Sequence, residues 1–113
     1  VTLDSTREVI GTALDTAPSV TGTALPPMVP FVGSAWPLVS ELERGPGNCF
    51  MAEWRVICVI GADERSAALA FSDYADELLE AVEQVLYVQT IRPAVLPAQL
   101  GNLYCLEMIG VSQ

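Results

Sequence analysis

A strand-like run from Cys49 to Ile60 stops at Gly61 and passes at once into a helical pattern from Asp63 to about Leu86, and this junction most constrains what the chain can fold into. In the strand, Phe50, Ala52, Trp54, Val56, Cys58 and Ile60 make one alternating face, and Met51, Glu53, Arg55, Ile57 and Val59 make the other. The second face turns apolar toward Ile60, as expected of a strand entering the middle of a covered sheet. In the helix, Phe71, Ala75, Leu78, Leu79, Val82, Val85 and Leu86 fall on one stripe of 3.6-residue period, which predicts packing against that sheet. The opposite side carries Asp73, Asp76, Glu77, Glu80 and Glu83, and no basic residue lies between Arg65 and Arg92 to offset them, so this side reads as solvated.

The flanking segments complete the order of elements. Leu3, Val9, Ile10, Ala13, Leu14 and Ala17 recur at helical steps and predict a short amphipathic helix from Leu3 to Ala17. Asp4 or Ser5 can cap it, Glu8 stands at capping-box spacing from Ser5, and Pro18 stops it. Gly22, Pro26, Pro27, Pro30 and Gly33 then crowd the stretch before Trp36, which reads as an extended arm. Short strands are expected around 20–25 and 36–42, with Pro37 confining the second to a sheet edge or its own start. Met28, Val29, Phe31 and Val32 make the arm apolar, so it either packs back on its own core or meets a neighbouring protein.

Glu43-Arg44-Gly45-Pro46-Gly47-Asn48 is the clearest turn signal and joins two antiparallel strands. After the long helix come Tyr87–Ile91, an irregular strand holding Pro93 and Pro97, a turn at Gly101-Asn102, and a last strand from Leu103 to Val111. The expected fold class is α+β: a mostly antiparallel sheet of four to five strands packed by one long helix and a short N-terminal helix, as a single domain over residues 1–113.

Composition narrows the chemistry. The chain has no histidine and no lysine, which removes histidine-based triads, imidazole metal sites, Schiff bases and a P-loop lysine. Cys49, Cys58 and Cys105 are an odd set without Cys-x-x-Cys spacing, against a disulfide framework or zinc ribbon, and Cys58 and Cys105 read as small buried hydrophobes in a reducing cytosol. Carboxylate catalysis survives on inventory alone through Glu53 or Glu107, but pairing with Arg55 or Arg92 accounts for these acids more simply. The expectation is no enzyme, no catalytic residue, no cofactor and no metal. Fourteen acids against five arginines leave a net charge of −9, which disfavours sequence-specific binding to nucleic acid. No stretch is apolar enough to span a bilayer and no secretion signal is visible. Charged residues make up only 17%, a shortfall that points to surface covered by partners.

The succession of N-terminal helix, Leu25-Pro26-Pro27, the hairpin around Gly45-Pro46-Gly47, the strand Glu53 to Gly61, the acidic helix Asp63 to Leu86 and two last strands resembles the tail terminator proteins of long-tailed bacteriophages. The resemblance covers nearly the whole chain and is one of order and texture. It implies a structural virion protein at the head–tail junction, assembled in the host cytoplasm. Its form would be a homohexameric ring that caps the tail tube and meets a head-side stopper or connector, with DNA passing through the ring. Neighbouring connector components, the stopper and tail-completion proteins, and a small soluble binding domain are the alternatives. Under the ring reading, the residues expected at subunit or partner contacts are Met28, Val29, Phe31, Val32 and Trp36 of the arm and Arg44, Gly45, Pro46, Gly47 and Asn48 of the hairpin tip.

Overall fold

A computed structural model describes residues 3–44, 47, 50–98 and 101–112. The chain runs α1 (Leu3–Leu14), β1 (Thr21–Gly22), β2 (Ser34–Arg44), β3 (Phe50–Gly61), α2 (Glu64–Val82), β4 (Tyr87–Ala98) and β5 (Gly101–Ser112). The fold is α+β, with five strands in one sheet of order β1-β2-β3-β5-β4. β3 pairs antiparallel with β2 and β5, and β4 pairs antiparallel with β5.

The sheet is mixed, because β1 lies parallel to β2 through Thr21 opposite Ser34 and Gly22 opposite Ala35. This parallel pairing was not expected from the sequence, and it explains the arm. Parallel neighbours cannot be joined by a tight hairpin and need a crossover of about a dozen residues. Residues 23–33 are that crossover. Among the described residues β2 beyond Ala35 has no partner on its outer side, so Pro37 sits on an open edge where its missing N–H interrupts no ladder.

Both helices pack on one face of the sheet. Ile10 and Leu14 from α1, Leu78 and Val82 from α2, and Trp54, Val56, Cys58, Leu106 and Met108 from the strands form the main core. The Trp54 indole is fully buried and donates to Ser112 Oγ at 2.8 Å, which satisfies its one polar atom. Asp63 caps α2 by accepting from the Ser66 backbone N–H at 2.8 Å and from its hydroxyl at 2.8 Å.

Several boundaries differ from the sequence expectation. α1 ends at Leu14, not Ala17, because Thr16 and Ala17 bond back to Ala13 and Leu14 in tighter i to i−3 turns, helped by Thr16 Oγ1 on the Ala13 carbonyl at 2.6 Å. Asp4 lies inside its first turn and pairs with Arg7 at 2.8 Å. α2 ends at Val82, where Val85 and Leu86 both bond to the Val82 carbonyl in a closing turn. Leu79, assigned to the packed stripe, is exposed, whereas Leu78, Val82 and Leu86 are buried. β4 is one continuous strand through Pro93 and Pro97, since it lies at the sheet edge.

Two glycines let α1 approach the crossover. A Cβ on Gly22 would stand 2.4 Å from the Asp15 nitrogen and 2.6 Å from the Gly11 carbonyl oxygen, and one on Gly11 would stand 2.8 Å from the Ala24 nitrogen. Backbone therefore packs directly on backbone where the helix crosses β1.

Candidate functional site

The face of the sheet away from the helices carries a second, smaller cluster. Trp36, Ile57, Val59 and Cys105 are buried there, with Leu38, Ala94, Leu96 and Leu103 half-buried around them. Alternation puts them on one side: Trp36 opposes Ile57 and Ala94 opposes Cys105 across the ladders. No residue of α1 or α2 belongs to this cluster. Pro26 and Pro30 of the crossover instead form one wall of an open groove of about 430 Å³, whose remaining lining includes Trp36, Leu38, Arg55, Ile57, Ala94 and Leu96.

Beside the groove runs a charged row across β3, β5 and β4. Glu107 is buried and accepts from Arg55 Nε at 3.0 Å and from Arg92 Nε at 2.7 Å, with a further close contact from the Arg55 guanidinium. The two arginine side chains are 41% and 57% exposed, while that of Glu107 is 3% exposed. Burial alone would raise the Glu107 carboxyl, but the hydrogen bonds and charges of Arg55 and Arg92 outweigh it and hold the group below the ordinary glutamate range. The pairing of this acid with both arginines is what the simpler sequence reading expected. Glu53 lies on the same face, opposite Glu41.

The arm is tied at both ends. Thr23 N–H donates to the Ala35 carbonyl at 3.0 Å and its hydroxyl to the Leu25 carbonyl at 2.8 Å. At the other end Gly33, in a left-handed conformation with φ of 96°, donates to the Val59 carbonyl at 2.7 Å. Ser34 Oγ donates to the Phe31 carbonyl at 2.6 Å and accepts from the Phe31 N–H at 3.1 Å. Between these ties Met28 is fully exposed, Val29 is 78% exposed, and Leu25, Phe31 and Val32 are also exposed. Of the two outcomes the sequence left open for the arm, Pro26 and Pro30 border the sheet's open-face groove and the large apolar side chains stay in solvent. No charged residue occurs between Asp15 and Glu41, so the arm is electrically neutral on a chain of net charge −9.

The residues expected at contacts separate accordingly. Met28, Val29, Phe31 and Val32 are together on the arm, while Trp36 is buried beneath it at 3% exposure and belongs to the second cluster. Arg44 is exposed at the end of β2 and Gly47 has a positive φ of 73° in the turn beyond it. Gly45, Pro46 and Asn48 lie outside the described residues, as does Cys49. Leu25, and the groove residues Leu38, Ile57, Ala94 and Leu96, were not picked out as a site. The signal for Ile57 was visible in the apolar turn of the second face of β3, whereas Ala94 and Leu96 meet it only through β5.

A second apolar groove, of about 570 Å³, lies between α2 and strands β4 and β5 and is lined by Glu64, Ala67, Ala68, Phe71, Pro93, Val95 and Tyr104. On α2 Asp73, Asp76 and Glu80 are exposed, as is Glu83 at its C-cap, and Glu77 accepts from Ser19 Oγ at 3.2 Å. Among the described residues no group of three or more acids and thiols is placed to hold a metal ion, and no helix is long and apolar enough to cross a membrane. Cys58 and Cys105 are free and buried, and burial pushes their thiols up to about 12 and about 11. Neither family models nor curated proteins nor solved structures contain a match to this chain.

Proposed function

We propose that the protein is a ring-forming structural subunit of the tail terminator kind, which caps a tail tube and joins it to a head-side connector. The observation that carries this reading is the arm. Exposed Met28, Val29, Phe31 and Val32 are costly in water, and the ties at Thr23, Gly33 and Ser34 anchor the two ends of the arm that carries them. A pinned apolar surface without charge is suited to contact with another protein chain. A heterologous contact whose rotation closes makes a ring with two different faces, which is what a junction between a tube and a connector requires. The acidic row on α2 favours contact with water or basic partners and disfavours adhesion to DNA, consistent with DNA sliding through such a ring.

Negative-stain electron microscopy of the purified protein across a concentration series tests the proposal. Sixfold rings with an open centre are the expected result. Monomers at every concentration, both alone and with tail tube protein added, refute it. Rings of another symmetry point to a neighbouring connector component. The groove between α2 and β4 favours a second reading, a small binding domain, which gains if the protein stays monomeric and an apolar probe is held at Phe71 and Tyr104.

A further inference from the structure

Resting on the ring reading, we infer that the arm tip of one copy, Met28 and Val29, seats in the open-face groove of the next copy against Leu38, Ile57, Ala94 and Leu96.

Charge selects this pairing. Two copies at −9 each repel one another, and the repulsion is smallest where the approaching surfaces bring no acid together. The arm has no charge. Among the described residues Arg55 is the one charged residue in the lining of the open-face groove, and its guanidinium is already bonded to Glu107. Glu107 is already paired with Arg55 and Arg92, so filling the groove strands no buried ion and brings no acid against the neutral arm. Glu53 and Glu41 share the sheet face but do not line the groove. The larger groove beside α2 is the poorer host, because Glu64 stands in its lining.

Shape and stiffness agree with charge. Pro26 and Pro30 form a wall of the groove in their own chain, while Met28 and Val29 point into solvent, so each copy presents a knob next to a hole without filling its own. Pro26, Pro27 and Pro30 limit the arm's freedom before contact, which lowers the ordering cost of seating it. The contact is heterologous: every copy gives an arm to one neighbour and receives one from the other.

The test uses two full-length variants on a Cys49→Ser background, Met28→Cys and Leu96→Cys, co-expressed with distinguishable tags and mildly oxidised. Mass spectrometry then looks for the peptide pair linked between positions 28 and 96, which in this mixture arises only between copies. Electron microscopy of the same sample reports assembly. Rings that yield the linked pair are the expected result. Rings without it overturn the arm-in-groove contact and leave the ring standing, whereas monomers seen also for the unsubstituted protein, alone and with tail tube protein added, overturn both. As an independent variant, Met28→Asp with Val29→Asp is expected to raise the concentration for half-assembly by roughly 100-fold or more, from the loss of two buried apolar side chains per contact. Circular dichroism, and Tm measured at concentrations where both proteins are monomeric, should be unchanged, because both side chains lie in solvent within one subunit. Assembly unaffected by the double substitution also overturns the inference.

Discussion

Glu107→Gln should lower stability by about 2–3 kcal/mol at neutral pH, and the size follows from how the carboxylate is held. Each hydrogen bond to a charged partner contributes roughly 1.5–3 kcal/mol. Oε2 accepts from Arg55 and Oε1 from Arg92, so the carboxylate uses both oxygens. Glutamine keeps one acceptor oxygen and must turn its amide N–H toward the other guanidinium, where donor faces donor. One arginine loses its partner and the other keeps only a neutral acceptor. Because those arginines are partly exposed, water takes up some of the loss, which keeps the expected cost toward the middle of the range. With an unfolding entropy of roughly 2.1 cal/mol/K per residue, a domain of 113 residues shifts by about 4 °C per kcal/mol, so Tm should fall by about 8–12 °C.

The pH dependence carries the sign of the effect. The folded-state pKa of Glu107 is depressed, so its contribution is fully present above the unfolded value of about 4.3 and is lost as pH falls through the lower folded value. The difference in Tm between parent and variant should therefore be flat from about pH 5 to 8 and close below about pH 4. Thermal melts followed by circular dichroism over that range measure it. A variant within about 2 °C of the parent at pH 7, or a gap that stays constant down to pH 3, refutes the reasoning.

Gly22→Ala should cost about 1–3 kcal/mol, since its Cβ would collide with backbone atoms of α1 rather than with a movable side chain, and a Tm equal to the parent's contradicts the close crossing. The thiols of Cys58 and Cys105 should stay unlabelled by a thiol reagent at pH 7 in the folded Cys49→Ser protein and react fully in denaturant; rapid native labelling of either contradicts the burial found here. Pro93 and Pro97 are four residues apart and share one parity on the edge strand β4, so replacing both with Thr restores outward N–H donors and should raise the aggregation rate measured by light scattering, with no change meaning that these prolines do not blunt the edge.

Much of the fold was legible because its signals are local. The alternation from Ala52 to Ile60 and the stripe through Leu78 and Val82 repeat with the periods of strand and helix, and burial follows those periods wherever a face has something to pack on. Asp63 caps α2 through a contact three residues away. The arm was legible as an arm, because prolines exclude regular structure wherever they crowd.

Tertiary structure decided what depends on strands that meet from far apart. The parallel pairing of β1 with β2 turned residues 23–33 from a generic loop into a crossover of defined length. Trp36, grouped by sequence with the exposed arm, became a buried floor beneath Pro26 and Pro30. The groove joins residues of the crossover, β2, β3 and β4 that no periodicity connects, because β5, the last strand in the chain, inserts between β3 and β4 and sets which of their side chains share a face. Local sequence thus determined the elements and their apolar sides, since side-chain period is a property of the backbone. Their order in the sheet determined the surface offered to a partner, since that depends on which distant faces are left uncovered once the helices have chosen one side.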